Sequence, residues 1–392
     1  PISRPTKSGM TITSSASPEE TSSATGAPRG RTLSAGGSVA TMSPSPTASL
    51  GTRAARVLEA MAGTLPPRGA TAHLIGHSSG GLDVRLLTAP GVTLPTRLDV
   101  ERLARRVRSV VTVATPHHGT PVASFFASLL GQRLLQLLSL STVRVLRFGS
   151  LPVSVMLRLG GVFARLDRHL GVNSALLDQL FGQLLADFSP DRRRALGRLF
   201  GEVHDDQALL TQLTPEGMEV FHALARDRPG VRYGSVVTRG RRPGVGSTLA
   251  AGLDPSAQAT HAVYQALYRL AAQTSTARPP PADRHQARAL RRAYGALPGS
   301  DANDGVVPTL SQVWGEMIHA AAADHLDVIG HFHEPGHVPP HFDWLASGTG
   351  FDHTSFAALW TDVARFVAQA ASGRIENRLP PRSRRRYVTR VR

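Results

Sequence analysis

The chain has 392 residues, 41% of them hydrophobic, enough for one large core with insertions or for two smaller ones. It has no cysteine, which excludes disulfides, thiolate nucleophiles and cysteine-held metals. Net charge is +16, and every basic residue except Lys7 is an arginine. The arginines are scattered and accompany no nucleic-acid-binding motif, so no specific nucleic-acid partner is expected.

Residues 1–50 are rich in Ser, Thr, Pro and Gly and poor in large apolar side chains. Such a composition buries too little surface to offset chain ordering, so a disordered segment is expected there. It contains no apolar stretch of the signal-peptide kind. Nowhere does an uninterrupted apolar run reach 18 residues, so no transmembrane helix is expected. Residues 52–65 place Val57, Leu58, Met61 and Leu65 at helical spacing.

Residues 71–85 read TAHLIGHSSGGLDVR. An apolar, strand-like run ends in Gly76-His77-Ser78-Ser79-Gly80-Gly81, and a helix-compatible run follows. Strand, sharp turn and helix are the context of a G-x-S-x-G nucleophile elbow. Glycine is needed where side chains would collide with the strand and helix, and the turn lifts the Ser78 hydroxyl clear of the backbone. The Ser79 amide, at the helix start, is placed to serve as an oxyanion donor.

Residues 98–106 read as helix, and 109–114 (SVVTVA) as a buried parallel strand. From 122 to about 226 the chain is helical and Leu-rich, in places apolar nearly all round, as a core or a cleft cover would be. Residues 231–238 read as strand, 261–273 as helix, 314–320 as strand and 356–371 as a closing amphipathic helix. A basic tail runs over 373–392. Strands alternating with helices argue for an α/β fold with a mostly parallel sheet.

A serine nucleophile needs a base, and the base needs an orienting acid. With 16 histidines available, order along the chain decides. After an elbow the order is acid, then histidine. Asp304, in the turn Asn303-Asp304-Gly305, is the best acid, with Asp301 as substitute. His325, in Asp324-His325-Leu326-Asp327, is the best base, since His117 and His118 precede both candidate acids, Asp301 and Asp304. His333-Glu334-Pro335-Gly336-His337 fits the zinc-protease pattern, but Pro and Gly between the histidines oppose the helix that chemistry requires.

Four stretches in order, GHSSGGLDVR, VVTVATPHHGTPVA, ANDGVV and DHLDV, resemble bacterial triacylglycerol lipases of the α/β-hydrolase fold. The resemblance covers about 52–371. It implies a hydrolase domain over 51–372 with a helical lid at 122–226, and a triad of Ser78, Asp304 and His325. It also implies an ester or lipid substrate met at a lipid–water interface, and secretion. No cofactor for the chemistry is implied. A structural Ca²⁺ is, on Asp254 of Leu253-Asp254-Pro255 and on Asp327, although His331 falls where a further side-chain ligand belongs.

The same resemblance carries a His-Gly oxyanion element after an early strand, whereas no histidine precedes His73 here. On that reading the opening strands are missing, through a changed start site or reading frame. The sheet edge beside the elbow is then open, and the chain is poorly soluble and weakly active. Two rivals stay open at this point. One is a degenerate hydrolase fold that binds lipid or a partner without turnover. The other is nucleic-acid binding through arginines 382–392.

Overall fold

The computed structural model describes residues 10–15, 37–42, 48–66, 69–148, 152–167, 174–194, 196, 208–252, 254–273, 279–334 and 343–372. Six strands form one sheet: Met10–Ser15 (β1), Gly37–Met42 (β2), Thr71–His77 (β3), Val107–Val113 (β4), Arg232–Thr238 (β5) and Glu316–Ala321 (β6). Their spatial order is β2-β1-β3-β4-β5-β6. β3 to β6 pair in parallel, while β1 runs antiparallel to both β2 and β3.

The central strands β3, β4 and β5 are buried almost throughout, as parallel strands covered on both faces are, and their polar residues His73, Ser109, Thr112, Ser235 and Thr238 are buried with them. Register pairs Leu74 with Val110 and Ile75 with Val111, and alternation sends the two pairs to opposite faces. On one face Leu74 and Val110 pack with helix Leu50–Thr64 (α1) and helix Ser79–Thr88 (α2), through Val57, Leu58, Met61, Leu82 and Leu87. On the other, Ile75, Val111 and Val236 meet Phe356, Leu359, Val363 and Phe366 of helix His353–Ala371. A mostly parallel sheet covered on both faces, with a serine turn after β3, is an α/β-hydrolase-like fold.

The segment before residue 51 departs from expectation. Two of its stretches are strands, and β1 pairs with the elbow strand from Thr11 opposite Ile75 to Ser15 opposite Thr71. β3 is therefore an interior strand, and the expected open edge is not there. The local reason is visible in MTITSS and GSVATM, where Ile, Val and Thr favour extended chain. The surrounding Ser, Pro and Gly dilute these six-residue runs when composition is averaged over fifty positions.

The Leu-rich region forms helices Pro121–Phe126, Leu129–Phe148, Val153–Asp167 and Ser174–Ala186. They share a core of their own with helix Pro255–Ala271, built from Leu134, Leu137, Phe163, Leu180, Leu184 and Tyr264. A further helix, Arg284–Tyr294, has no counterpart in the sequence reading. Its face is mostly charged, so apolar periodicity is faint. Its ends are well marked: Asp283 and Gln286 form a capping box, and Gly295 closes it at φ 77°.

α1 is clamped to α2 by a buried ion pair, Arg53 to Asp83 at 2.7 Å. Burial pushes the Asp83 carboxyl up to about 6 against the pull of Arg53. The same guanidinium donates to Ser79 Oγ at 3.1 Å, so the clamp reaches the elbow.

At the elbow Ser78 adopts φ 54° and ψ −132°, a conformation that side-chain-bearing residues avoid. Gly76 is required by space: a Cβ there would stand 2.3 Å from the Gly80 carbonyl oxygen. Gly81 is required too, since its Cβ would lie 2.0 Å from Thr115 Oγ1. Gly80 is not, because a Cβ there would meet nothing within 4 Å. Gly76→Ala is therefore expected to cost about 3 kcal/mol or more in urea unfolding. Gly80→Ala, within a helix, should stabilise by about 0.5–1 kcal/mol. Equal effects from the two changes would contradict this account of the turn.

Candidate active site

Three elements that are distant in sequence converge at the end of β3. Ser78 stands between β3 and α2, its N–H held by the Val113 carbonyl at 2.9 Å. Asp304 occupies a turn whose flanks are bridged between Asn303 and Pro308. His325 lies in the loop after β6, and its backbone N–H donates to the Asp304 carbonyl at 2.9 Å.

The side chains meet in line. His325 Nε2 is 3.0 Å from Ser78 Oγ, and His325 Nδ1 is 2.9 Å from Asp304 Oδ2. A carboxylate only accepts, so Nδ1 carries the proton and Nε2 presents its lone pair to the serine hydroxyl. Asp304 and His325 are buried, while Ser78 is partly exposed. Asp301, the substitute acid, is instead on the surface, 3.5 Å from Arg242.

Asp304 is fully enclosed, and burial alone would raise its pKa. The His325 ring and a set of donors outweigh that and hold the carboxyl below its ordinary range. Oδ1 accepts the Val306 and Val307 N–H groups at 2.9 and 2.7 Å. Oδ2 accepts the Thr238 hydroxyl at 2.7 Å and Gln312 Nε2–H at 3.1 Å, besides His325. Thr238 ends β5, and Gln312 ends the 3-10 turn Thr309–Gln312. Neither residue stands out in the sequence, because a Thr and a Gln far apart in the chain announce no shared partner.

Ser79 begins α2, so its backbone N–H is one of the first-turn donors that find no acceptor within a helix. As the sequence implies, no His-Gly pair follows an early strand among the described residues. Residues 43–47, which follow β2, lie outside the described residues, as do Pro335, Gly336 and His337 of the zinc-protease-like pattern.

His117 and His118 belong to a separate cluster. His117 is buried between Thr112 Oγ1, at 3.0 Å, and the Arg85 guanidinium, also at 3.0 Å. That guanidinium lies 3.5 Å from the centre of the Trp314 ring. Burial, then the charge of Arg85, hold His117 well below the ordinary histidine range.

The two aspartates expected to bind calcium differ in burial. Asp254 is exposed and accepts Ala257 N–H at 3.0 Å, as a cap on helix Pro255–Ala271. Asp327 is buried; it accepts Asp324 N–H at 2.8 Å and the Thr349 hydroxyl at 3.2 Å. Asp324 and Asp343 act on it electrostatically, and burial raises all three carboxyls, Asp343 to about 7. Asp324 Oδ2 is buried with no hydrogen-bond partner. Oxygen donors of this kind suit a hard divalent cation. Among the described residues, though, no three His, Cys, Asp or Glu side chains stand in ligand geometry.

No family model and no curated protein sequence matches the chain. Solved structures do. The metagenomic carboxyl esterase MGS0156 is 19% identical, covering 83% of this chain and 64% of that one, at a TM-score of 0.43. EstA from Clostridium botulinum is 16% identical, covering 72% and 64%, at 0.36. Lipase 1 from Pelosinus fermentans is 16% identical, covering 83% and 87%, at 0.44. The chain thus spans 64% of the length of the first two.

Proposed function

We propose that the chain is a serine hydrolase of carboxylic esters, working through an acyl-enzyme. The observation that carries this reading is the continuous hydrogen-bond line Ser78–His325–Asp304, with its 3.0 and 2.9 Å contacts. The strained backbone of Ser78 supports it, since such strain is retained where it exposes a reacting group.

Ser78 Oγ attacks the ester carbonyl carbon as His325 Nε2 takes the hydroxyl proton. The imidazolium formed lies against the ionised Asp304, whose donors keep it a carboxylate. Charge on the carbonyl oxygen is met by the Ser79 N–H. Collapse of the tetrahedral intermediate breaks the ester C–O bond, and His325 returns its proton to the departing alcohol. Water then repeats the sequence on the acyl-serine and releases the acid. Binding without turnover would need none of this alignment.

Within the ester hydrolases we propose a lipase, acting on long-chain acylglycerols at a lipid surface. In support, helix Val153–Asp167 of the Leu-rich region leaves Val153 and Leu157 about half exposed (52% and 51%), one turn apart. An apolar ridge of this kind costs little in water and gains on contact with acyl chains. A structural Ca²⁺ is proposed to be held through Asp327, whose carboxylate is buried, rather than through the exposed Asp254.

A fluorophosphonate should modify the wild-type chain at Ser78, and Ser78→Ala should abolish both the label and about 10⁶ of kcat. Label retained in the alanine variant would refute the assignment. Asp304→Asn should lower kcat by about 10³–10⁴ while Asp301→Asn leaves it unchanged; the reverse pattern would move the acid. Turnover of triacylglycerol emulsions should exceed that of soluble short-chain esters, and the opposite preference would restrict the reading to an esterase. Millimolar Ca²⁺ should raise the melting temperature by a few degrees through binding to the folded state alone. Asp327→Asn should remove the effect and Asp254→Ala should not; loss with Asp254→Ala would restore the original pair.

A further inference from the structure

His77 lies between the nucleophile and the base, yet the proton relay makes no use of it. It is the last residue of β3, directly before Ser78, and it is buried. Its Nε2 stands 2.9 Å from the backbone carbonyl oxygen of His325. A carbonyl only accepts, so Nε2 bears the proton and Nδ1 is bare. Nδ1 is buried without a hydrogen-bond partner. The two imidazole rings are 4.8 Å apart, inclined at 46°.

A buried ring that leaves one nitrogen unpaired is a poor choice for packing alone. Leucine would fill comparable space with no unsatisfied atom. What the imidazole adds is a donor for one carbonyl, and that carbonyl belongs to His325. Besides its contact with Ser78 itself, two other links hold His325, its N–H to the Asp304 carbonyl and its Nδ1–H to Asp304 Oδ2, and both lead to the acid turn. The link through His77 leads instead to the residue beside the nucleophile.

We propose that His77 is a positioning residue: its Nε2–H holds the His325 carbonyl and so sets the distance from His325 Nε2 to Ser78 Oγ. The proposal rests on the reading of Ser78 and His325 as nucleophile and base. A neutral His77 also matters, because a second cation would oppose the imidazolium that forms on His325. Burial first, then the neighbouring His325, push His77 down to about 3; His331 acts in the same sense, while Asp304 and the bond to the His325 carbonyl act against it. The ring is therefore expected to be uncharged near neutral pH.

Three substitutions separate this role from packing. The amide nitrogen of Gln reaches where Nε2 stands, and that of Asn only where Nδ1 stands. On a soluble ester, His77→Gln should keep kcat within about threefold of wild type. His77→Asn and His77→Leu should lose about tenfold to a hundredfold in kcat with KM unchanged, the scale of a slight misplacement of reacting groups. The Gln and Asn variants should melt together, so that loss of structure does not explain their difference. Equal kcat in those two, or wild-type kcat in a folded His77→Leu, would overturn the proposal; if the Leu variant fails to fold, the Gln and Asn pair decides. A wild-type chain that neither turns over esters nor takes the fluorophosphonate would refute the nucleophile instead. Nitrogen-15 spectra of the full chain then test the His77 bond by itself. The Nε2–H tautomer, unchanged from pH 5 to 8, is expected, and an Nδ1–H tautomer or a titration in that window would overturn it.

Discussion

The arrangement depends on one carboxylate kept ionised out of contact with water. An isolated buried carboxylate would take up a proton rather than bear the desolvation. Asp304 stays charged because its two oxygens accept two backbone N–H groups, a hydroxyl, an amide and an imidazole. Those donors come from the end of β5, the acid turn itself, the 3-10 turn and the loop after β6. Satisfying one charge therefore fixes four segments of chain against one another. The His325 ring takes its orientation from the same bonds, including the one from its own backbone N–H to the Asp304 carbonyl.

Ser78 is fixed from the other side. Ser78 holds its unfavourable dihedrals because Gly76 lets α2 pass within contact of β3, and Gly81 lets it pass Thr115. The Arg53–Asp83 pair then locks α1 to α2 and touches Ser79. A buried pair of this sort adds little net stability, but losing one partner strands the other charge. Its value here is geometric, since it restrains Ser79, the first residue of α2.

Much of this was legible in the sequence, for reasons that differ from place to place. The elbow was readable because strand, turn and helix each left a local signature within fifteen residues. That Asp304 and His325 would meet Ser78 was readable only through order along the chain and family resemblance, since Asn303-Asp304-Gly305 by itself is an ordinary turn. Thr238, Gln312 and His77 escaped as partners because their roles exist only across long sequence separations. β1 and β2 escaped because averaging hides six β-prone residues in a polar stretch. Asp254 has a second reading, because an aspartate before a proline also serves as a helix cap, and in the fold it accepts the Ala257 N–H.

The central claim is that the Ser78 hydroxyl is the atom that becomes acylated. It is tested most directly by mixing the chain with a chromogenic ester, quenching within milliseconds, and locating the acyl group by mass spectrometry of the peptides. The account predicts a burst of alcohol approaching one per chain, with the acyl group on Ser78. Turnover with no burst and no acyl-peptide would not decide the matter alone, because slow acylation hides the intermediate, so a His325→Ala chain acylated at Ser78 as fast as wild type is the contradicting result for the base, and an acyl group on any other side chain is the contradicting result for the nucleophile.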